Sequence, residues 1–168
     1  IQDLELADDV VFFIVSEMRR ISADLLYGLK VAACIGSRIT SDVIDILSAE
    51  LGTDLRDTLH QLAEKGFLNE HIYSREAGCG APSSSPSSNV RFEFAHDKIQ
   101  EAAYNVTPIH EQKLYHMMFG LALYPRVMDK SNDDMLFMAI HQINMAGPDS
   151  VCDLNQKPII VYWIRRQK

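Results

Sequence analysis

Apolar positions recur at helical spacing through most of this chain and alternate with polar ones in one central region. From Asp8 to Arg20, Val11, Ile14, Val15, Met18 and then Ile21 share a face, the stripe of an amphipathic helix that Asp8 or Asp9 would cap. Ser22 restarts the chain. Between Ala23 and Ile35, Leu25, Leu26, Leu29, Ala32 and Ala33 form an apolar face broad enough for a central helix, with Gly36 placed to end it in a left-handed cap. Thr40-Ser41-Asp42 reads as an N-cap cluster ahead of Val43, Ile44, Leu47 and Leu51, and that helix stops at Gly52. Thr53-Asp54 caps the next, where Leu55, Leu59, Leu62 and Ala63 face inward before Gly66.

Two wing strands follow. Phe67 to Tyr73 and Val90 to Phe94 read as strands; in the second, Val90, Phe92 and Phe94 lie on one side and Arg91 and Glu93 on the other. Between them, 76–89 is rich in Gly, Ser and Pro, too polar to offset the entropy of ordering, which predicts a disordered wing insert. Ser85-Pro86 in that insert is the kind of pair that Ser-rich loops contain by chance. Helical spacing returns at Ile99, Ala102, Ala103 and Val106, with Asp97 as the expected N-cap. A strand therefore runs straight into a helix at Ala95-His96-Asp97. Such a junction sets the His96 imidazole beside a helix N-terminus, where N–H donors and the dipole favour an anion such as phosphate.

Two further helices follow. Thr107-Pro108 starts the first, with Leu114, Met117, Met118 and Leu121 on its inner face and Tyr124-Pro125 as its end. Asn132 caps the second, with Leu136, Ala139, Ile140 and Ile143 inward and Gly147-Pro148 as terminator. The pattern thus predicts a mainly α chain: a leading helix over 1–21, a winged-helix domain (helices plus a two-stranded wing) over 22–106, the start of an α-helical repeat region over 107–147, and an atypical tail over 148–168. In the tail Lys157-Pro158 leads into the β-branched and aromatic run Ile159 to Ile164. An edge strand, a segment that packs only within a longer protein and a gene-end artefact all fit it.

Charge and composition narrow the function. At 168 residues and 47% hydrophobic content the chain can bury a core, and its net charge of −7 opposes nonspecific attraction to nucleic acid. The segment Asp54 to Lys65, which a DNA-reading winged helix would place in the groove, carries three acids against two bases, so no nucleic-acid partner is expected. Cys34, Cys79 and Cys152 are widely spaced and odd in number, as in a reduced, cytoplasmic protein, and Cys34 on an apolar helix reads as a small buried hydrophobe. The apolar runs Val10 to Val15 and Ile159 to Ile164 fall far short of the roughly 20 residues that span a bilayer, so no membrane partner is expected. No basic n-region precedes the first run, so no signal peptide is expected, and the start without Met reads as a fragment.

Candidate chemistry is sparse. No G-x-x-x-x-G-K-[ST] loop, H-E-x-x-H, C-x-x-C or G-x-S-x-G occurs among these residues, and His110 and His116 are six apart, off a common helix face. The fragment is therefore expected to be no enzyme, with no catalytic residue, no metal site and no cofactor of its own.

The run Phe92-Glu93-Phe94-Ala95-His96-Asp97-Lys98-Ile99-Gln100-Glu101-Ala102-Ala103-Tyr104 resembles a Phe-x-His-Asp-x-[Ile/Val]-Gln-x-Ala-Ala-Tyr signature of large STAND-type signalling ATPases. These are multidomain regulators that often carry protein-kinase, GAF, histidine-kinase or cyclase modules. Leu29 to Arg38 is similar to a second segment of that family, and Leu59 to Leu68 to its helix-to-strand step. The likeness covers about residues 8–146 and implies the part that follows an AAA or NB-ARC-like nucleotide-binding domain, with 1–21 as the connecting helix. On that resemblance the parent protein binds ATP or ADP with Mg, its phosphate loop lies before Ile1, and the partners are neighbouring NTPase and effector domains of the same chain and other proteins met through the helical repeats. Ala95-His96-Asp97 matches the last two positions of the Met-His-Asp motif of NB-ARC proteins, which casts His96 as a sensor of the ADP phosphate and Asp97 as the helix cap orienting it. A structural role serves the same residues: His96 satisfying a backbone carbonyl, Asp97 only capping.

Overall fold

The computed structural model describes residues 11–73, 89–127 and 133–148. The Asp8 or Asp9 cap, the insert over 76–88, the Asn132 cap and the tail from 149 lie outside them. The chain divides into two compact units, the first ending at Val106 and the second beginning at Thr107.

The first described element of the first unit is a helix over 11–18, α1, whose Ile14 and Met18 are buried. Then come α2 (Ala23–Ile35), β1 (Arg38–Thr40), α3 (Ser41–Leu51), α4 (Leu55–Glu64), β2 (Leu68–Tyr73), β3 (Asn89–Phe94) and α5 (Asp97–Val106). The strands form an antiparallel sheet in the order β1-β3-β2. Its register pairs Ile39 with Phe92 on one side of β3 and Glu70 with Phe92 on the other. The central strand is the one whose apolar residues alternate most cleanly, and Val90, Phe92 and Phe94 are all buried. Around the sheet, α2 packs on α4, α5 and β1, α3 on α4, β1 and β3, and α4 on β2, and Leu29, Ile44, Leu47, Leu59 and Leu62 of these helices are fully buried.

Three local expectations change. β1 extends the expected two-stranded wing to three; Arg38-Ile39-Thr40 is too short to show a period and becomes a strand only because β3 supplies its hydrogen-bonding partner. Gly36 has φ +139° and ψ −173°, not left-handed helical values, since the chain leaves α2 extended to enter β1, whereas Gly52 (φ +64°, ψ 26°) is the left-handed cap. Thr40 sits at the N-cap of α3 but makes no side-chain capping bond. The Ser41 hydroxyl instead donates to Val90 O (2.8 Å) and accepts from Val90 N–H (2.7 Å), continuing the β1–β3 ladder where β1 has run out. Ser22 and Asp54 do cap their helices, accepting from Leu25 N–H at 3.3 Å and Asp57 N–H at 3.0 Å.

The second unit is a hairpin of α6 (Ile109–Val127) and α7 (Asp133–Ala146). Pro108 O accepts the Gln112 N–H at 3.0 Å to open α6, and Pro125 lies inside the helix instead of ending it. Its position in the last turn means that little of the backbone ladder is lost. The buried faces also differ from the expected ones. Gln112, His116, Met117, Phe119, Leu123 and Tyr124 point inward on α6, and Met135, Ala139, Gln142 and Ala146 on α7, while Leu114 and Ile140 are exposed. Gly120 explains the shift: its missing Cβ leaves room for Ile143 and the Ala139 carbonyl, so the helices close on the Gly120 face. Among the described residues no helix is long and apolar enough to cross a membrane.

Candidate functional site

The β3–α5 junction holds the one stretch to which the sequence assigns chemistry. β3 ends at Phe94, and Ala95 N–H donates to Phe67 O at 3.1 Å, tying the turn to the start of the wing. The carbonyl of His96 accepts from Ile99 N–H (2.9 Å), and its ring Nδ1 accepts from Lys98 N–H (3.1 Å). His96 is therefore the capping residue of α5. Asp97, expected to be the cap, is the first residue of the helix, and its carboxylate sits in the first turn. The imidazole serves as a cap because Nδ1 lies at the reach of an Asn or Asp side-chain oxygen. It accepts a backbone N–H; the expected structural role had it satisfying a carbonyl.

This arrangement has two consequences. With Nδ1 an acceptor, the proton of the neutral ring sits on Nε2, which is the donor available to a ligand. Two first-turn N–H groups are already taken by His96, and the Asp97 carboxylate lies beside them, both of which weaken the turn as an anion cradle. Ala95, His96 and Asp97 are all exposed.

The rest of the signature is packing. Ala102 and Ala103 are buried, α5 packs chiefly on α2 and also meets β3, and Gln100 Nε2 reaches Ala33 O at 3.5 Å. Burial, followed by the nearness of Cys34, pushes the Tyr104 hydroxyl above its ordinary pKa. Lys98 Nζ meets Glu101 Oε2 at 2.7 Å, and that hydrogen bond, then the charge of Glu101, raises the lysine.

A second cluster lies on the outer face of the sheet, and the sequence pattern did not reveal it. Glu93 is approached by Arg91 Nε at 3.0 Å, Arg38 Nε at 3.4 Å and His71 Nε2 at 3.7 Å, and Arg91 stacks over the Tyr73 ring at 4.7 Å. Arg91 Nε and Glu93 Oε1 are close without being aligned for a hydrogen bond, so their contact is coulombic. Alternation alone places Arg91 and Glu93 outward, but their meeting with Arg38 and His71 follows from the register.

Across the sheet, on its helical side, His60 of α4 holds Glu70 of β2 (Nδ1 to Oε2, 2.8 Å) and sets its ring edge-on to Phe92 at 5.1 Å. On α4 itself, Arg56 is paired with Asp45 at 2.7 Å and Asp57 with Gln61 at 2.7 Å. Among the described residues no group of three or more His, Cys, Asp or Glu side chains is placed to hold a metal ion. Comparisons of the chain with family models, with curated proteins and with solved structures give no match.

Proposed function

We propose that the chain is the regulatory segment of a nucleotide-switched signalling ATPase, a winged-helix domain followed by the first helices of a repeat region. It couples the ATP or ADP state of an NTPase domain elsewhere in a cytoplasmic parent protein, where Mg accompanies the nucleotide, to effector domains and protein partners, and it catalyses nothing itself. The helix, strand, helix, helix, strand, strand order with sheet order β1-β3-β2 supports the winged-helix reading. The exposed apolar side chains of the second unit, Ile109, Leu114, Phe137, Ile140 and Met145, support the repeat reading, because a lone helical pair cannot bury both of its faces.

The observation that carries the nucleotide reading is His96, exposed at a strand-to-helix turn with its ring fixed through Nδ1. A phosphate oxygen accepting from Nε2–H would gain a donor already oriented, and the switch works only if that contact favours the ADP-bound form over the ATP-bound one. His96→Asn keeps a capping side chain while withdrawing the imidazole donor, so the fold is expected to survive. In the parent protein, loss of a hydrogen bond to a charged group, about 1.5–3 kcal/mol, would weaken ADP roughly tenfold to a hundredfold in calorimetry. Unchanged ADP affinity in a parent that melts normally removes the nucleotide reading.

The alternative is a protein-interaction winged-helix module that uses no nucleotide. The two N–H groups already consumed by His96 and the adjacent Asp97 carboxylate favour it. A DNA-binding regulator ranks below both, since the only arginine of α4 is engaged by Asp45.

A further inference from the structure

β2 is an edge strand. Along its six residues one side pairs with β3, and among the described residues no strand pairs with the other. The direction of its backbone groups follows from two hydrogen bonds. Phe67 O accepts from Ala95 N–H, so Phe67 turns its polar groups towards β3 and, by antiparallel alternation, so do Asn69, His71 and Tyr73. Val90 N–H and C=O are taken by Ser41 on the β1 side, which fixes the same parity from the opposite edge. Leu68, Glu70 and Ile72 therefore present their N–H and C=O groups outward.

Beside that row runs a groove of about 480 Å³, walled by His60, Ala63 and Glu64 of α4 and by β2 from Leu68 to His71. A helix alongside a free sheet edge is the geometry in which an extended peptide adds a strand. Leu-Asn-Glu-His-Ile-Tyr contains no Lys, Pro or Gly, three of the residue types that usually blunt an edge. Ile72, 71% exposed, offers apolar surface to an incoming strand.

We infer that the outer edge of β2 is a docking site for an extended peptide that carries a Lys or Arg two positions from an apolar residue and joins the sheet as a fourth strand. Charge selects this occupant. The groove is lined by Glu64 and Glu70, with two histidines and no Lys or Arg; His60 meets only Oε2 of Glu70, so the residue opposite Glu70 is favoured when basic, and the one opposite Ile72, two positions away on the same face, when apolar. A second copy of this chain pairing antiparallel about Glu70 would set carboxylate against carboxylate, which disfavours self-association through the edge. Neither nucleotide nor His96 enters this inference, so it stands apart from the proposed function.

The test uses the 168-residue chain and a capped eight-residue peptide of alternating valine and threonine with lysine replacing one central valine. Titration followed by backbone amide shifts is expected to move Leu68, Glu70 and Ile72. The same peptide with glutamate for lysine should bind about fivefold or more weakly, and Glu70→Lys should reverse that order. Ile72→Pro removes one outward donor while leaving the β3 ladder whole, so it should abolish binding with the melting temperature nearly unchanged. The inference is overturned if those three amides stay still, if both peptides bind alike, or if Ile72→Pro binds like the parent chain. Concentration-dependent self-association that Ile72→Pro removes would overturn it too, by making a second copy the occupant.

Discussion

The two units bury different kinds of surface. In the first, every described side chain that is buried is apolar, glycine aside, and of its three buried phenylalanines Phe92 is the one wholly enclosed, on the central strand of the sheet. The second buries Thr107, Gln112, His116 and Gln142, and it meets their needs internally: Gln112 Nε2 donates to Thr107 O at 2.9 Å, and His116 Nδ1 lies 2.7 Å from Gln142 Oε1 across the hairpin. An apolar core gains stability from area and shape and is indifferent to pH. A hairpin whose inner face includes a histidine–glutamine pair gains a fixed register, since sliding either helix leaves buried polar groups unpaired, and it becomes sensitive to protonation.

Four measurements would break or sharpen that contrast. The largest effect is expected at Phe92→Ala, which empties the centre of the first unit and should cost about 3–5 kcal/mol in urea unfolding. A loss below about 1 kcal/mol would show that the sheet does not hold the core. Next is Gly120→Ala in the hairpin. A Cβ there would stand 2.5 Å from Ile143 Cγ1 and 3.1 Å from both Ala139 O and Ile143 N. Backbone cannot yield as a side chain can, so a net loss of about 1–3 kcal/mol is expected despite the better helix propensity of alanine.

The third concerns pH. Burial first, and then the charge of nearby His141, lower the His116 pKa below its ordinary 6.5, while the hydrogen bond to Gln142 opposes them. The unfolded chain then binds the proton more readily than the folded hairpin. Its contribution is therefore full above about pH 6.5 and is lost as pH falls from there through the folded-state pKa. Melting of the second unit should drop between pH 7.5 and 5.5 while the first holds, and His116→Gln should flatten the dependence. Equal pH sensitivity in both units would place the effect elsewhere. The smallest is Ser41→Ala, which leaves Val90 N–H and C=O without the hydroxyl that serves both and should cost about 1–2 kcal/mol.

The helices of the first unit were legible in the sequence because each carries a stripe and a stop signal, and β3 because alternation survives in a short segment. The inner faces of the hairpin were not. A search for apolar stripes selects Leu114 and Ile140, yet both are exposed, and it passes over His116 and Gln142 because polar residues count against burial until their partners are known. The signature around His96 was visible as a motif, and its division of labour was not: Gln100, Ala102 and Ala103 pack on α2, while His96 caps the helix that Asp97 was expected to cap.

By itself, then, the sequence determined what depends on neighbours a few residues apart: about where helices α2 to α5 begin and stop, which residues of β3 face inward, and that strand meets helix at Ala95-His96-Asp97. Tertiary structure decided what depends on partners far along the chain. β1 exists because β3 lies beside it, Ser41 finds Val90 across 49 residues, and among the described residues the outer edge of β2 has no partner strand because the sheet order is β1-β3-β2. Backbone hydrogen bonds and buried polar pairs are satisfied or left open only when the register is set, and spacing along one segment fixes which face it buries without naming the residue of another segment that it meets.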